Sequence, residues 1–327
     1  MDAGIRLMSP DRSVTAFAPA TIGNVICGFD VLGLAIESPG DKVTVSSTSE
    51  HKLRISSIHG DGGRLPLDPA ANSATVGISA LLEGTGRTEG IEVALEKGLP
   101  LSGGMGGSAA SAVAAVVATD RLLETNLPPS ELLSYALAGE RAAAGAGHLD
   151  NVAPALLGGL LLVRPGKSPE VIRLPIPIGM SVVLLHPAVE LSTQEGRQAI
   201  GRSVPLGAAV AQWGNTAAFI HGLHTSDWDL LADALEDRIA EPYRRKGIPG
   251  FQEVREAALA AGAVACGISG AGPSIVSICR SAEGADRVGA EMLAAYEADT
   301  RPKGILHRSP VSPLGARIVA SVAVSAQ

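Results

Sequence analysis

The segment 98–111 is a glycine-rich loop with the composition of an anion-binding site. Its sequence is GLPLSGGMGGSAAS, and the following stretch, Ser108–Glu124, predicts a helix whose positive dipole end faces the loop. The glycines that leave backbone amides uncovered are Gly103, Gly104, Gly106 and Gly107. Free amides at a helix start favour a phosphate ligand. No lysine follows the glycines and the spacing G-x-G-x-x-G is absent, so a plain strand-to-helix connector stays an alternative.

A second stretch, Gly139–Asn151, carries side chains that suit metal and substrate binding. Positions 140, 144, 148 and 151 share one face if the helix is continuous, and they offer a carboxylate, a small residue, an imidazole and an amide. The small residues between them would let a ligand approach the backbone. From spacing alone, Glu140 could equally be a solvated surface acid, and His148 a histidine at a helix end.

The composition describes a globular, mildly acidic protein. Its 327 residues are 46% hydrophobic and 3% aromatic, which is long enough for two domains with a substantial core. A net charge of −7 argues against a nucleic-acid partner, which needs a basic face. The three cysteines have no metal-binding spacing and favour reduced thiols. Without an apolar leader in residues 1–13 or a run of about 18 apolar residues, we expect a cytoplasmic protein with no membrane partner.

These candidate residues must be positioned by a mixture of strands and helices. Short β-rich runs fill residues 14–56, and a helix (Asn72–Leu82) and a strand (Ile91–Glu96) precede the glycine loop. Near residue 164 the pattern changes to strands separated by proline-rich turns. The further predicted elements are strands 160–163, 171–174, 181–186, 274–279 and 316–324, with helices 131–144, 206–223, 227–238, 251–261 and 282–297. Such a pattern is typical of an α+β protein in two halves.

Three separated motifs carry a resemblance to a known family. They are APATIGNVICGFD at 18–30, GMGGSAA at 104–110 and GISGAGPS at 267–274, with further matches at 140–157, 191–197 and 240–251. In this order they resemble the signature motifs of the GHMP small-molecule kinases, and most closely those of the members that act on L-homoserine. The resemblance implies the α+β GHMP kinase fold. Its expected parts are an S5-like N-terminal domain (1–163, completed by a strand within 310–327) and a ferredoxin-like C-terminal domain (164–309).

The resemblance further implies an ATP-dependent kinase that phosphorylates the side-chain hydroxyl of L-homoserine and forms a homodimer. The triphosphate would lie over the glycine loop, while Ser108 and Glu140 would bind Mg²⁺ through hard oxygen atoms. The implied nucleotide-binding residues are Asn72, Pro100, Leu101, Ser102, Gly103, Gly104, Met105, Gly106, Gly107 and Ser108. For Asn72, which stands at the start of a predicted helix, capping is an equal explanation.

The same resemblance assigns side chains to both charged ends of the amino acid. Asn24 and Asp30 would hold the ammonium group, and Arg197 and Arg244 the carboxylate, which suits a planar guanidinium. The other implied substrate residues are His148, Asn151, Thr193 and Gly270. As alternatives, Asn24 and Asp30 could bond to their own turn, and either arginine could form a surface ion pair.

Catalysis is expected to depend on positioning and charge neutralisation, because Asp30 is the one good candidate for a base and it is committed to the ammonium group. Asn151 would orient the hydroxyl while its proton passes directly to a phosphate oxygen, with His148 as base the alternative. The chain departs from the family pattern GLGSSAA in that Gly107 replaces the first serine, which puts one phosphate contact in doubt. Two other functions stay open: a GHMP kinase for another small alcohol, such as mevalonate or a sugar, and a non-catalytic binding protein.

Overall fold

The N-terminal half forms a sheet that is covered by four helices. The computed structural model describes residues 12–164, 170–189, 191, 193–201, 203–298, 301 and 303–323. The elements of this half are β1 (Arg12–Gly23), β2 (Leu32–Thr48), β3 (Leu53–His59), α1 (Ser73–Thr85), β4 (Gly90–Glu96), α2 (Gly107–Leu123), α3 (Pro129–Ala144), α4 (Leu149–Leu157), β5 (Leu160–Arg164) and β6 (Glu170–Leu174).

Two long antiparallel strands, β1 and β2, form the centre of this sheet. β2 also pairs with β4 and, at its start, with β5, while β3 runs parallel to β4 and β6 pairs with β5. Val43 and Val45 are buried while Lys42 and Thr44 face the other side, as the two-residue period of a strand requires. Alanines dominate the buried face of α2, and their small side chains let the helix pack close to β1 and β2.

The C-terminal half contains a second sheet and returns one strand to the first. Its elements are β7 (Ser181–His186), α5 (Thr193–Gln198), α6 (Leu206–Thr225), α7 (Trp228–Ala234), α8 (Glu241–Arg244), α9 (Phe251–Ala260), β8 (Ala265–Ile268), β9 (Ile275–Cys279), α10 (Ala282–Glu297), β10 (Ile305–Pro310) and β11 (Arg317–Ala323). The second sheet has the antiparallel order β10-β7-β9-β8. β11 pairs with β1 and is the edge strand of the first sheet.

The order of the second sheet confirms the ferredoxin-like expectation. Taken in chain order its strands are numbered 4-1-3-2, which is the arrangement of a split βαβ fold. The first sheet extends beyond residue 163, where we expected its domain to end, because β6 pairs with β5. Within the described residues, no helix combines the length and apolar character needed to cross a membrane.

The structure has no continuous helix from Glu140 to Asn151, which was the condition for the shared face of these side chains. α3 ends at Ala144, and Gly145 follows with a left-handed φ of 72°. A new helix, α4, begins after His148, which is its N-cap residue. The one-face argument from sequence is therefore wrong, because these positions belong to two helices that the intervening turn brings together.

The turn between β1 and β2 is unusual because three successive residues, none of them glycine, have left-handed backbone angles. Asn24, Val25 and Ile26 have φ values of 68°, 43° and 60°. Each left-handed residue costs on the order of 1–2 kcal/mol, so this conformation must be stabilised by its surroundings. Part of that stabilisation is burial, since Val25 and Ile26 are only 1% and 2% exposed.

Candidate active site

A cavity of about 470 Å³ lies between the glycine loop and the residues contributed by the C-terminal half. Its size is suitable for small-molecule ligands. The residues that we expected at the site and that line it are Asn24, Asp30, Asn72, Pro100, Leu101, Ser102, Gly103, Gly104, Gly106, Gly107, Ser108, Glu140, His148, Asn151, Arg197, Arg244 and Gly270. Met105 does not line it, because its side chain is buried in the core. The side chain of Thr193 lies outside the described residues.

The N-terminus of α2 opens into this cavity without a side-chain cap. Gly106 is the N-cap, and the first turn contains no acidic residue, so the helix start retains its positive potential. A Cβ on Gly104 would lie 2.4 Å from the Ser269 carbonyl, and one on Gly106 would lie 2.0 Å from Thr21 Oγ1. The loop is therefore packed so closely that only glycine fits at these two positions, and its amides form a cradle for an anion.

A buried lysine supports the glycine loop from below. Lys97 Nζ donates to Asp41, to the Gly107 carbonyl at 2.9 Å and to Ser111 Oγ at 2.8 Å. Asp41 also accepts the amides of Gly98 and Leu99 through its other oxygen. Since an ammonium group has three donors, these bonds use all of them. Lys97 thus stabilises the glycine loop.

Glu140 and His148 form a buried pair beside the helix start. His148 Nδ1 lies 3.0 Å from Glu140 Oε1, while Glu140 Oε2 and His148 Nε2 have no hydrogen-bond partner. The bond to Glu140 raises the pKa of the His148 imidazole, so the ring keeps its proton to a higher pH than usual. A buried carboxylate oxygen without a partner, in a cavity that Ser108 also lines, is a suitable donor for a divalent cation. In the described part of the chain, no three His, Cys, Asp or Glu side chains form a complete metal cluster.

Asn151 is held against the glycine loop by Thr21. Thr21 Oγ1 donates to Asn151 Oδ1 at 2.8 Å, and the Thr21 amide donates to the Met105 carbonyl at 3.1 Å. The Asn151 side chain also lies directly below Gly23, where an added Cβ would be 2.6 Å from its Nδ2. These contacts fix the orientation of the Asn151 amide between the first motif and the loop.

Asp30 and Arg197 form an ion pair across the cavity. Arg197 Nη2 lies 2.9 and 2.8 Å from the two carboxylate oxygens of Asp30, and both side chains are about 40% exposed, at 44% and 39%. Asn24 supports this arrangement, because its Oδ1 accepts the Asp30 amide at 2.8 Å and its Nδ2 donates to the Gly270 carbonyl at 2.9 Å. Asn24 therefore shapes its own turn and also connects it to the third motif.

Arg244 reaches the same place from α8 and is almost fully buried. Its Nε donates to the Gly196 carbonyl and its Nη1 to the Gly270 carbonyl, each at 2.9 Å. The guanidinium groups of Arg244 and Arg197 lie 5.4 and 5.6 Å from the centre of the Phe29 ring. The negative face of an aromatic ring offsets some of the repulsion between two like charges. The two arginines thus provide a concentrated positive charge beside Asp30.

Asp150, which we did not single out from the sequence, also faces the cavity. Its Oδ2 accepts the Asn24 amide at 3.1 Å, and its carboxyl group is buried. Burial, and after it the negative charge of Asp30, raises the pKa of Asp150 to about 6. Two carboxylates that repel one another in this way create a favourable site for a positively charged ligand.

Asn72 both caps α1 and lines the cavity. Its Oδ1 accepts the Ala74 amide at 3.1 Å, and its Nδ2 donates to the Pro66 carbonyl at 3.2 Å. The capping explanation from sequence is thus part of its role, and the cavity position leaves nucleotide binding as a proposal.

Three supporting residues, Thr21, Lys97 and Asp150, were missed by reasoning from the sequence. Thr21 and Asp150 lie inside the motifs that drew attention, but nothing in their spacing distinguishes them from neighbours. Lys97 precedes the glycine loop, whereas a phosphate-binding lysine was sought after it. Only the folded arrangement shows what each of them contacts.

Comparisons with known proteins identify the family to which the chain belongs. Residues 72–159 match the family described as GHMP kinases N terminal domain, and residues 219–298 match GHMP kinases C terminal. The chain thus belongs to the GHMP kinases. The homoserine kinase of Chlorobaculum tepidum is 43% identical over 321 residues, which are 95% of this chain and 99% of that protein. The homoserine kinase of Xanthomonas campestris is 39% identical, with 81% of each chain covered.

Solved structures give the same result. The crystal structure of a homoserine kinase from Cytophaga hutchinsonii has a TM-score of 0.92 and is 41% identical to this chain. The match covers 97% of this chain and 100% of that chain. A mevalonate kinase from L. major, at 14% identity and a TM-score of 0.71 over 95% and 99% of the two chains, shares the fold. The chain therefore belongs to the homoserine kinase family of the GHMP kinases.

Proposed function

We propose that this protein transfers the γ-phosphoryl group of ATP to the side-chain hydroxyl of L-homoserine, giving O-phospho-L-homoserine for threonine synthesis. The observation that carries the proposal is the Asp30–Arg197 ion pair at the mouth of a cavity that also contains the glycine loop. A zwitterionic amino acid can replace that pair, with its ammonium group on Asp30 and its carboxylate on Arg197. Each charge of the protein then keeps an opposite partner.

The other charged residues extend this arrangement. Arg244 adds a second cation on the carboxylate side, and Asp150 adds a second carboxylate on the ammonium side. A substrate such as mevalonate has a carboxylate but no amine, so it would leave Asp30 and Asp150 without a counter-charge. The site therefore favours an α-amino acid over the other small alcohols.

Mg²⁺ fits two residues of the cavity, Ser108 at the start of α2 and Glu140 on α3. Glu140 Oε2 is buried without a hydrogen-bond partner, and Ser108 lines the same cavity. Two protein oxygens are a suitable set for a cation that takes its other ligands from phosphates and water. When bound, Mg²⁺ would neutralise the negative charge of the phosphates.

The chemical step is an in-line displacement in which the substrate oxygen bonds to the γ-phosphorus and the bond to ADP breaks. We propose that Asn151, oriented by Thr21, positions the hydroxyl, whose proton passes to a phosphate oxygen. His148 is disfavoured as a base because its Nδ1 already bonds to Glu140 Oε1, and this bond raises the pKa of the ring, which favours its protonated form. Its role is to orient the Glu140 carboxylate.

We further propose a homodimer in the cytoplasm. Leu206, Val210 and Trp213 are 73%, 54% and 64% exposed and share one face of α6, which offers a surface for a second copy. The cysteines of the described chain are all free and buried, as suits a reducing compartment. Light scattering, which measures the molecular mass in solution, tests whether the protein is a dimer.

An ATP-consumption assay with homoserine, mevalonate, galactose and shikimate tests the proposed function. We expect turnover of homoserine to exceed that of every alcohol without an amine by orders of magnitude, because those ligands leave buried charges unpaired. Equal turnover of homoserine and mevalonate would contradict the assignment of homoserine as the substrate and leave the assignment as a kinase intact. Binding of homoserine with no consumption of ATP would indicate the non-catalytic alternative.

A further inference from the structure

The left-handed turn at residues 24–26 is held from outside by one helix of the C-terminal half. The Cys27 carbonyl accepts a bond from Gln212 Nε2 at 2.5 Å and a second from Thr216 Oγ1 at 2.7 Å. Gln212 and Thr216 are four residues apart on α6 and therefore lie on the same helical face. Gln212 is only 3% exposed, so water does not replace its contacts.

The other end of the Gln212 amide holds a different part of the site. Its Oε1 accepts the Arg238 amide at 2.7 Å. The neighbouring Asp237 accepts the amides of Ile239 and Ala240 at 2.7 and 2.8 Å and that of Glu241 at 3.0 Å, which fixes the start of α8. Arg244 is the last residue of α8. One side chain thus joins the turn bearing Asn24 and Asp30 to the segment that positions Arg244.

We propose that Gln212 is a positioning residue that sets the spacing between the ammonium-binding and carboxylate-binding sides of the substrate site. The inference rests on the proposed function, since it assigns Asp30 and Arg244 to opposite ends of one amino acid. The two charged groups of an α-amino acid are separated by a single carbon atom. A small shift of the turn relative to α8 therefore weakens binding of this substrate class specifically.

The chemistry of the contact requires an amide at this position. Only a side chain with both a donor and an acceptor can bond to the Cys27 carbonyl and the Arg238 amide at once. Glutamate keeps the acceptor but places a second oxygen against the Cys27 carbonyl. Methionine has a similar length and forms neither bond. Thr216 supplies the second donor, which serine can also supply and valine cannot.

The test compares these variants with a matched control on the same helix. We would measure the KM for homoserine, the KM for ATP, kcat and the melting temperature of Gln212→Glu, Gln212→Met, Thr216→Val and Thr216→Ser. Asn215→Ala is the control, because Asn215 Nδ2 donates to the Glu236 carbonyl at 3.0 Å and so ties α6 to the same segment without contacting the turn.

We expect both Gln212 variants to raise the KM for homoserine about ten- to a hundredfold while the KM for ATP changes less than about twofold. Thr216→Val is expected to raise the KM for homoserine by a smaller factor. Thr216→Ser is expected to keep the wild-type KM. If a Gln212 variant does not fold, the Thr216 pair decides the question by the same criterion. Asn215→Ala should lower the melting temperature without changing either KM.

Three results would overturn the inference, and they can be distinguished from one another. A wild-type enzyme that uses homoserine, with Gln212 and Thr216 variants that lose only thermal stability, would make these residues merely structural. Equal increases in both KM values would likewise remove the specific effect on the substrate site. A wild-type protein that does not phosphorylate homoserine would contradict the proposed function, and the inference would fall with it.

Discussion

At the scale of single residues, the site consists of charges that are paired before any ligand binds. Asp30 with Arg197 and Glu140 with His148 form such pairs along the cavity. In the proposed function, the substrate would contact Asp30 and Arg197, and the metal would contact Glu140. These charges therefore have partners in the free protein, and binding exchanges one set of pairs for another.

Replacing Arg197 by glutamine tests the carboxylate role. We expect Arg197→Gln to raise the KM for homoserine by about tenfold or more through loss of a charge-assisted bond, with the KM for ATP unchanged. The corresponding amino alcohol, which lacks the carboxylate, should be affected far less. Arg164→Gln is the control, since Arg164 forms an exposed ion pair with Glu170 outside the cavity. A loss confined to ATP would place Arg197 on the nucleotide instead.

Replacing Glu140 by glutamine tests the metal role. Glutamine keeps the size and helix propensity but removes the charge that faces the cavity. We expect kcat to fall strongly at limiting Mg²⁺ and to recover in part at high Mg²⁺, with an unchanged far-UV circular dichroism spectrum. Ser108→Ala should show the same dependence on Mg²⁺ to a smaller extent. Wild-type activity of Glu140→Gln at limiting Mg²⁺ would rule out this assignment.

At the scale of elements, the glycine loop contains positions that only glycine can occupy and one position that other residues could also occupy. Gly104 has a φ of 70° and lies against backbone atoms, whereas a Cβ on Gly107 would meet nothing closer than 3.5 Å. Gly107 is the first residue of α2, where glycine is a poor helix former. The departure from the family pattern at this position is therefore not imposed by space.

Restoring a serine at Gly107 is expected to be tolerated and to improve nucleotide binding. Gly107→Ser should lower the KM for ATP severalfold and leave stability unchanged or raised by about 0.5 kcal/mol. Gly104→Ser is the matched control, and it should abolish activity because its Cβ would lie 2.4 Å from the Ser269 carbonyl. Urea denaturation and ATP kinetics of both variants provide the measurements. An inactive Gly107→Ser would mean that the bare amide is needed there.

At the scale of the whole molecule, buried carboxyl groups connect the site to stability. Burial raises the pKa of Asp150 to about 6 and that of Glu241 to about 7, although Glu241 pairs with Arg255. A carboxyl group with a raised pKa in the folded state contributes stability below its ordinary pKa near 4. That contribution is lost as the pH rises through the folded-state value. At neutral pH the charge of Asp150 therefore lowers the stability of the fold, at the place where we propose that the ammonium group of the substrate binds.

Asp150→Asn should remove one part of this pH dependence. We expect the variant to be more stable than wild type above pH 6, by up to about 3 kcal/mol, and equally stable below pH 4. Its KM for homoserine should rise, since one carboxylate near the ammonium site is lost. Denaturation at several pH values measures the difference, with the exposed Asp229→Asn as control. A constant difference at all pH values would contradict the raised pKa.

The sequence by itself determined the fold class, the glycine loop and the family, because these depend on local patterns and ordered motifs. Asp30, Arg197, Arg244 and Glu140 could be named in the same way, since they stand in or beside those motifs. What each of them contacts was decided by the tertiary structure. The helix α3 ends before Gly145, so the helical period does not continue to His148. The turn that follows nevertheless brings Glu140 and His148 together.

The supporting contacts depended most on the tertiary structure. Thr21 meets Asn151 across 130 residues of chain, and Gln212 meets the Cys27 carbonyl across 185. Such pairs leave no periodic signal, because hydrogen-bond partners far apart in sequence are fixed only when sheets and helices pack. The sequence therefore specified which groups can do the chemistry, and the packed structure decided which of them are oriented for it.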